Sequence, residues 1–287
     1  MATIREIKSR VTAIKKTQKI TSAMKMISAA RLARAQQAAE ASRAYGKKLT
    51  EIFSTAAAGL EPDANPLLSK REQTRKLDVV VVTSDRGLCG AYNSNVIKHA
   101  LSVISERKGG VDSTSVIAIG RRGRDFFRRL RAEVPRFWIG LSTPTPAHAH
   151  EIATYLIERF LSGACDEVVF VYGRFVSALT QVPTHLTVIP VLSALPPDSS
   201  APTVSYEFEP NAESLLASVL PSMIEFMVLR ALLENAASEH GARMTSMDSA
   251  TENTRELIRS FTLQMNKARQ AQITTELTEI VAGAEAL

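Results

Sequence analysis

Between Thr3 and Thr55 the chain has no proline and only one glycine, Gly46, and most positions are Ala, Lys, Arg, Gln, Leu or Met. Such residues lose little side-chain freedom in a helix, so the run predicts a single helix over 3–57. A second stretch, Asn211 to Ala284, is interrupted only by Pro221, Gly241 and Gly283. Gly283 stands where helices commonly stop, and Pro221 marks the place where this helix would be irregular. At ~1.5 Å per residue the two helices would be roughly 80 Å and somewhat over ~100 Å long. No ordinary domain covers rods of that length, so their apolar residues must be buried against each other or against a partner.

The spacing lets the ends pair. Ile4, Ile7, Val11 and Ile14 follow the three-four rhythm of a coiled-coil seam, and Ile20, Met24 and Ile27 resume it after a polar interruption at Thr17 and Gln18. Ile258, Phe261, Met265 and Ala268 repeat the rhythm, and Ile273, Leu277, Ile280 and Ala284 take it up on a shifted face. With a large segment between them, the expected arrangement is an antiparallel intramolecular coiled coil, weakly supercoiled and irregular in register. Two helices of a larger bundle would show the same periodicity.

The middle of the chain has a different pattern. After small and turn-forming residues from Ser54 and a linker over 58–76, Leu77 to Val82 is a β-branched run, followed by the turn Ser84 to Gly90 and a helical stretch from Tyr92 to Arg107. Further strands are expected at Ser115 to Ile119, Phe137 to Ile139, Glu167 to Tyr172 and His185 to Val191. Helices are expected at Arg121 to Arg131 and from a Thr145 cap to Leu161. Alternation of this kind predicts an α/β class domain, open and Rossmann-like, over 77–194, inserted between the terminal helices. A loop and brief strand at Val204 to Phe208 fill 195–210, and Asn211 caps the second helix over 211–287. Thr3 and Glu6 form a capping box at the first.

Composition narrows the function. The 287 residues are 45% hydrophobic, with no apolar run long enough for a membrane span and no secretory core at the start, which predicts a soluble chain. Two cysteines, Cys89 and Cys165, build neither a disulfide framework nor a zinc site and are expected to be free, partly buried thiols. The net charge is +6, and from Met1 to Gln36 nine cations face the single acid Glu6. That helix calls for an acidic partner. Nucleic acid would serve, but no aromatic residue precedes Tyr45 for base stacking, so an acidic protein surface fits at least as well.

Signals for chemistry are weak. The turn after the first strand lacks the lysine and hydroxyl of a Walker loop and the three glycines of a dinucleotide fingerprint, so it is read as a tight turn rather than a nucleotide site. His148 and His150 point to different faces of one helix, which does not suit joint metal ligation. Trp138 is read as core, and His240, with Glu239 and Arg243, as a mid-helix group facing a partner or the sister helix. A basic nucleic-acid-binding coiled coil and an α/β enzyme with helical arms remain as rival readings.

Four runs carry a resemblance: TQKITSAMKM at 17–26, SDRGLCG at 84–90, ASEHGARM at 237–244 and ARQAQITTELTEI at 268–280. In this order they resemble the gamma subunit of F-type rotary ATP synthase over the whole chain. The resemblance implies a non-catalytic central-stalk rotor, one copy per complex. It would transmit rotation of a proton-driven c-ring to the alpha/beta hexamer, with an epsilon subunit as further partner. It implies no cofactor, no metal and no nucleic acid, and a peripheral place on the cytoplasmic face of the bacterial inner membrane.

By position, the resemblance implies beta-subunit contacts at Met24, Lys25, Arg86, Lys98, Lys267, Arg269, Gln270, Thr274 and Glu276. It implies a hexamer collar contact at Ile273, Leu277, Ile280 and Val281, and a foot against the c-ring and epsilon at Tyr206, Glu207, Phe208 and Glu209. Gly241 stands where the family usually has alanine or serine, with an expected cost of ~1 kcal/mol in an exposed helix. The inserted dithiol switch of the plant plastid form has no counterpart in this sequence.

Overall fold

The computed structural model describes residues 3–57, 65–68, 71, 73–191 and 212–285. In chain order the elements are α1 (Ile4–Ala57), β1 (Lys76–Val82), α2 (Tyr92–Arg107), β2 (Ser113–Ile119), α3 (Arg121–Arg129), β3 (Phe137–Trp138), α4 (Pro146–Leu161), β4 (Glu167–Phe175), β5 (Gln181–Ile189) and α5 (Ala212–Glu285). The strand expected at Val204 to Phe208 and the cap at Asn211 lie outside the described residues. Two compact units are distinguished: Met1–Ser28 with Met244–Leu287, and Ala29–Arg243.

In the larger unit five strands form one sheet in the order β3-β2-β1-β4-β5. β1 lies parallel between β2 and β4, β3 continues parallel beyond β2, and β5 is an antiparallel edge strand on β4. This is the open α/β class expected from the alternating pattern. β1 is buried from Leu77 to Val82, as a strand covered on both faces must be. Leu77, Val79 and Val81 join Val96, Ile97, Ala100 and Val103 of α2 and Phe127 of α3. Val80 and Val82 face the opposite layer, with Ile152, Leu156 and Phe160 of α4, Leu220 to Leu232 of α5, and Leu49 and Phe53 of α1.

Helix starts follow local chemistry. Thr3 Oγ1 accepts from the Glu6 amide at 3.3 Å while Glu6 Oε2 accepts from the Thr3 amide at 3.1 Å. At α4, Thr145 caps the His148 amide, the His148 ring returns to the Thr145 amide, and Pro146 occupies the first turn. That use of His148 accounts for it without a metal. α5 runs through Pro221, whose neighbours Leu220, Met223 and Ile224 are buried, so tertiary packing offsets the interior proline. Gly241 is buried rather than exposed: a Cβ there would lie 3.3 Å from Phe175 Cε2 and 3.4 Å from Ala178 Cα. The expected helix penalty is therefore corrected to a packing requirement, because the small residue admits the β4–β5 hairpin.

The smaller unit holds the start of α1 and the end of α5, and its seam corrects the sequence reading. On α1 a three-four alternation of buried and half-buried positions runs through Ile4, Ile7, Val11, Ile14, Gln18, Thr21, Lys25 and Ser28 and includes polar side chains, with Ser22 and the expected Met24 half-buried beside it. Ile20 and Ile27, expected in the seam, are 60% and 53% exposed. On α5 the matching positions are Met247, Thr251, Thr254, Ile258, Phe261, Met265 and Ala268. Thr251 Oγ1 donates to Thr21 Oγ1 at 2.8 Å, and Lys25 Nζ pairs with Asp248 at 2.6 Å. Both contacts belong to one antiparallel register, which the Thr21–Thr251 pair and the apolar seam set. A regular heptad is thus kept with polar members, and the apolar pattern alone drifts to the outside. Carried back to Ile4, the register reaches the turn of Ala268, and α5 positions 271–282 beyond it are all exposed.

One buried pair ties the two layers of the larger unit together. Asp78, on the second face of β1, accepts from Arg159 Nε at 2.6 Å and Nη2 at 3.0 Å, and its side chain is 1% exposed. Removing one partner strands a buried charge. Asp78→Ala should lower unfolding free energy by about 3–5 kcal/mol, whereas Asp78→Leu with Arg159→Met should recover most of that loss. Urea midpoints of the three chains check both outcomes.

Candidate functional site: a filled crevice and exposed contact surfaces

The sheet order places the connections from β1 to β2 and from β4 on opposite sides of β1, so the crevice at the carboxyl end of β1 is where folds of this class hold ligands. Here the chain fills it. Asp85 Oδ1 accepts from the Arg121 amide at 2.9 Å and Oδ2 from the Gly140 amide at 2.7 Å, joining the turn to α3 and to the end of β3. Ser84 O accepts from the Arg122 amide and Thr83 Oγ1 from the Gly123 amide, so the first amides of α3 are engaged within the chain. Leu88 and Gly90 both take positive φ, 64° and 57°, and Gly90 carries this without a side-chain penalty.

From the other side α5 closes the crevice. Arg243 donates to the carbonyls of Arg86 at 3.2 Å and Gly87 at 3.3 Å, and pairs with Glu239 at 2.7 Å with both side chains buried. Tyr92 donates to Asn235 Oδ1, and Ser238 Oγ donates to Gly173 O at 2.8 Å. A phosphate would need amides and an uncommitted cation. This turn instead offers carbonyl oxygens to a guanidinium whose charge is already met by Glu239. The arrangement locks a turn. Cys89, buried near Ser84 and Asn93, has its thiol pKa pushed up by burial, which suits an inert side chain.

His240 is buried here as well, 3.4 Å from Arg243 through Nδ1, so it faces the chain's own residues, with Arg31 of the sister helix α1 acting on it, rather than a partner. Burial first, then Arg243 and Arg31, lower its pKa to about 4. Burial raises that of Glu239 despite Arg243. The lock was hidden in the sequence because Glu239 and Arg243 look like an ordinary exposed i,i+4 pair. The available signal was their setting among Ala236, Ala237, Ser238, Gly241 and Ala242, small residues that permit close approach.

The residues singled out from the sequence divide by position. In the larger unit Arg86 and Lys98 are exposed, and neither side chain has an ion pair among the described residues. In the smaller unit Met24 is half-buried and Lys25 is engaged by Asp248. Lys267, Arg269, Gln270, Thr274 and Glu276 are exposed on α5, where Thr274 bonds back to Gln270 O and Glu276 accepts from Gln272. Ile273, Leu277, Ile280 and Val281 are exposed large apolar side chains. Tyr206, Glu207, Phe208 and Glu209 lie outside the described residues. Two of the four quoted runs, 84–90 and 237–244, meet at the lock. No described helix is long and apolar enough to cross a membrane.

The family model described as ATP synthase matches residues 3–287. The ATP synthase gamma chain of Desulforamulus reducens is 42% identical over the full length of both chains, and that of Moorella thermoacetica is 44% identical, again over both. The chain belongs to the ATP synthase gamma-chain family. The gamma chain of Geobacter sp. strain M21 is 45% identical, covering all of this chain and 99% of its own. Among solved structures, a chain of the Euglena gracilis mitochondrial ATP synthase rotor has a TM-score of 0.65 at 21% identity, covering 94% of this chain and 98% of that one. A Tetrahymena thermophila central stalk and c-ring structure has a TM-score of 0.61 at 22% identity, covering 80% and 99%. These two likenesses are of fold.

The lowered pKa of His240 has a definite sign. A histidine whose folded pKa lies below its unfolded value of 6.5 contributes stability above that pH and loses it as pH falls toward about 4. Glu239 acts in the opposite sense, because a raised carboxyl pKa favours the fold at low pH and loses that contribution as pH rises through the folded value. His240→Gln should therefore flatten the acid side of a Tm-against-pH profile between pH 6.5 and about 4. An unchanged profile would show that His240 is not the titrating group.

Proposed function

We propose that this gamma chain is a non-catalytic rotor that couples c-ring rotation to the catalytic alpha/beta hexamer of an ATP synthase. The carrying observation is the smaller unit. Its two helices are paired in register through Ala268, and α5 then continues with Ile273, Leu277, Ile280 and Val281 bare of intramolecular cover. Apolar side chains exposed in a row need a surrounding surface. A collar of partner subunits meets that need, with Lys267, Arg269 and Gln270 before it and Thr274 and Glu276 among its members as polar contacts to beta.

In this reading Met24, Lys25, Arg86 and Lys98 also face beta subunits. The 206–209 segment meets the c-ring and epsilon, and the complex sits peripherally on the cytoplasmic face of the membrane. The non-catalytic part of this reading is supported by the crevice at the end of β1, where Arg243 and Glu239 occupy the place of a ligand. Co-purification of the tagged chain with alpha, beta and epsilon subunits tests the proposal. Stable duplex binding at physiological salt, or turnover by the isolated chain, would overturn it.

Arg86 and Lys98 test the electrostatic part. Exposed ion pairs are worth only ~0.2–1 kcal/mol, so their loss should leave assembly intact. Contacts that form and break during rotation affect rate more than stability. Arg86→Ala with Lys98→Ala should therefore slow ATPase turnover in the assembled complex, and the wild-type rate should fall toward the variant's as salt screens the pairs. Identical turnover and salt response in both would reduce these cations to solvated surface.

A further inference from the structure

His99 on α2 and His185 on the edge strand β5 meet across the sheet margin, with His99 Nε2 and His185 Nδ1 3.1 Å apart. Their ring centroids are 5.3 Å apart, so the rings lie end to end. In that geometry the lone pair of one nitrogen lies along the N–H of the other. One shared proton is accommodated, whereas a common metal ion would need the two lone pairs to converge from the side.

We propose that His99 and His185 form a proton-sensitive latch between α2 and β5, closed while the facing nitrogens share a single proton and released when both rings are charged. Two neutral imidazoles bond as donor and acceptor, and so do one charged and one neutral ring. Two charged rings present N–H to N–H, and both bond and attraction are lost. The contact therefore holds with one shared proton and fails with two.

The surroundings leave this repulsion largely uncompensated. The groups acting on His99 are His185 and, more weakly, Glu106 on α2, which favours the charged ring and is itself bonded by Ser102. Burial is the largest influence and, with His185, lowers the His99 pKa. On the strands behind, Asp78 of β1 is taken by Arg159, and Glu167 of β4 is taken by Arg107 and Thr187. The remaining charged side chain of β4, Arg174, would add to the repulsion if it approached, and α3 contributes mainly arginines. The sign is that of a histidine with a lowered folded pKa: closure is favoured above the ordinary imidazole value of ~6.5 and weakens as pH falls.

β5 is where release would be felt, because among the described residues only β4 pairs with it in the sheet. Local opening of an edge strand is low in free energy and is read by amide exchange. The experiment is hydrogen exchange on the assembled complex at pH 7.5 and 5.5, corrected for the intrinsic pH dependence of exchange. Amides of β5 and the first half of α2 should exchange several-fold faster at the lower pH, with α4 as internal reference.

His185→Asn keeps a neutral group that can either donate to His99 or accept from it. It should abolish the acid-induced rise without unfolding the sheet, and His99→Gln should do the same. His240, whose pKa burial lowers to about 4, is present in every variant, so the difference between wild type and variant isolates the latch. No rise in wild type, or an equal rise in His185→Asn, overturns the proposal. If neither variant assembles, the wild-type comparison of β5 with α4 still decides it.

Discussion

The guanidinium of Arg243 is the group on which the larger unit closes. A turn that leaves a central parallel strand has carbonyl oxygens to satisfy, and at the end of β1 those of Arg86 and Gly87 find their donor on α5, more than a hundred and fifty residues away in sequence. Hydrogen bonds to a charged group contribute roughly 1.5–3 kcal/mol, and burying that charge without a counter-ion would cost more than they return. Glu239 supplies the counter-ion one helical turn away, and both side chains are buried. The small residues around them follow from the same constraint, because a helix presenting Glu239 and Arg243 inward must approach the sheet closely. Gly241 against Phe175 and Ser238 on Gly173 O are the contacts that make the approach possible.

The smaller unit solves a different problem. Two helices paired over many turns need a register, and a seam of aliphatic residues alone specifies one weakly. Polar members at seam positions cost stability and fix alignment. Thr21 with Thr251 does this most directly, since Thr251 Oγ1 donates to Thr21 Oγ1, whose own proton goes to Gln18 O within its helix. Displacing Ile20 and Ile27 to the surface is the other half of the same design, because apolar side chains withheld from the seam remain available to a partner.

Most of the fold was legible because its signals are local. β-branched runs, turn residues and caps located every helix and strand of the described middle segment to within a few residues, and the alternation gave the open sheet. The seam was misread for a physical reason: hydrophobic periodicity assumes that buried means apolar, and Gln18, Thr21, Lys25 and Ser28 break that assumption while keeping the spacing. The lock at Arg243 was opaque because a buried ion pair at i,i+4 has the same spacing as a solvated one. Pairing across β5, and with it the approach of His185 to His99, depends on which strand lies at the edge, which no local pattern encodes.

These observations bear on how the exposed cations act. Lys25 and Asp248 are 42% and 59% exposed, and a pair so open to water is worth only ~0.2–1 kcal/mol. It therefore adds little to a register already set by Thr21 and the apolar seam. A carboxylate presented by a neighbouring subunit would compete with Asp248 for Lys25 on nearly even terms, and the exchange of one acid for another would leave the helix pair intact. The same reasoning separates the two ends of α5: near Asp248 the available energy is electrostatic, small and sensitive to salt, whereas beyond Ala268 it lies in apolar area at about 25 cal/mol per Å² buried. A rotor built this way would be held at its tip by shape and area, and guided lower down by charges weak enough to be released at every step.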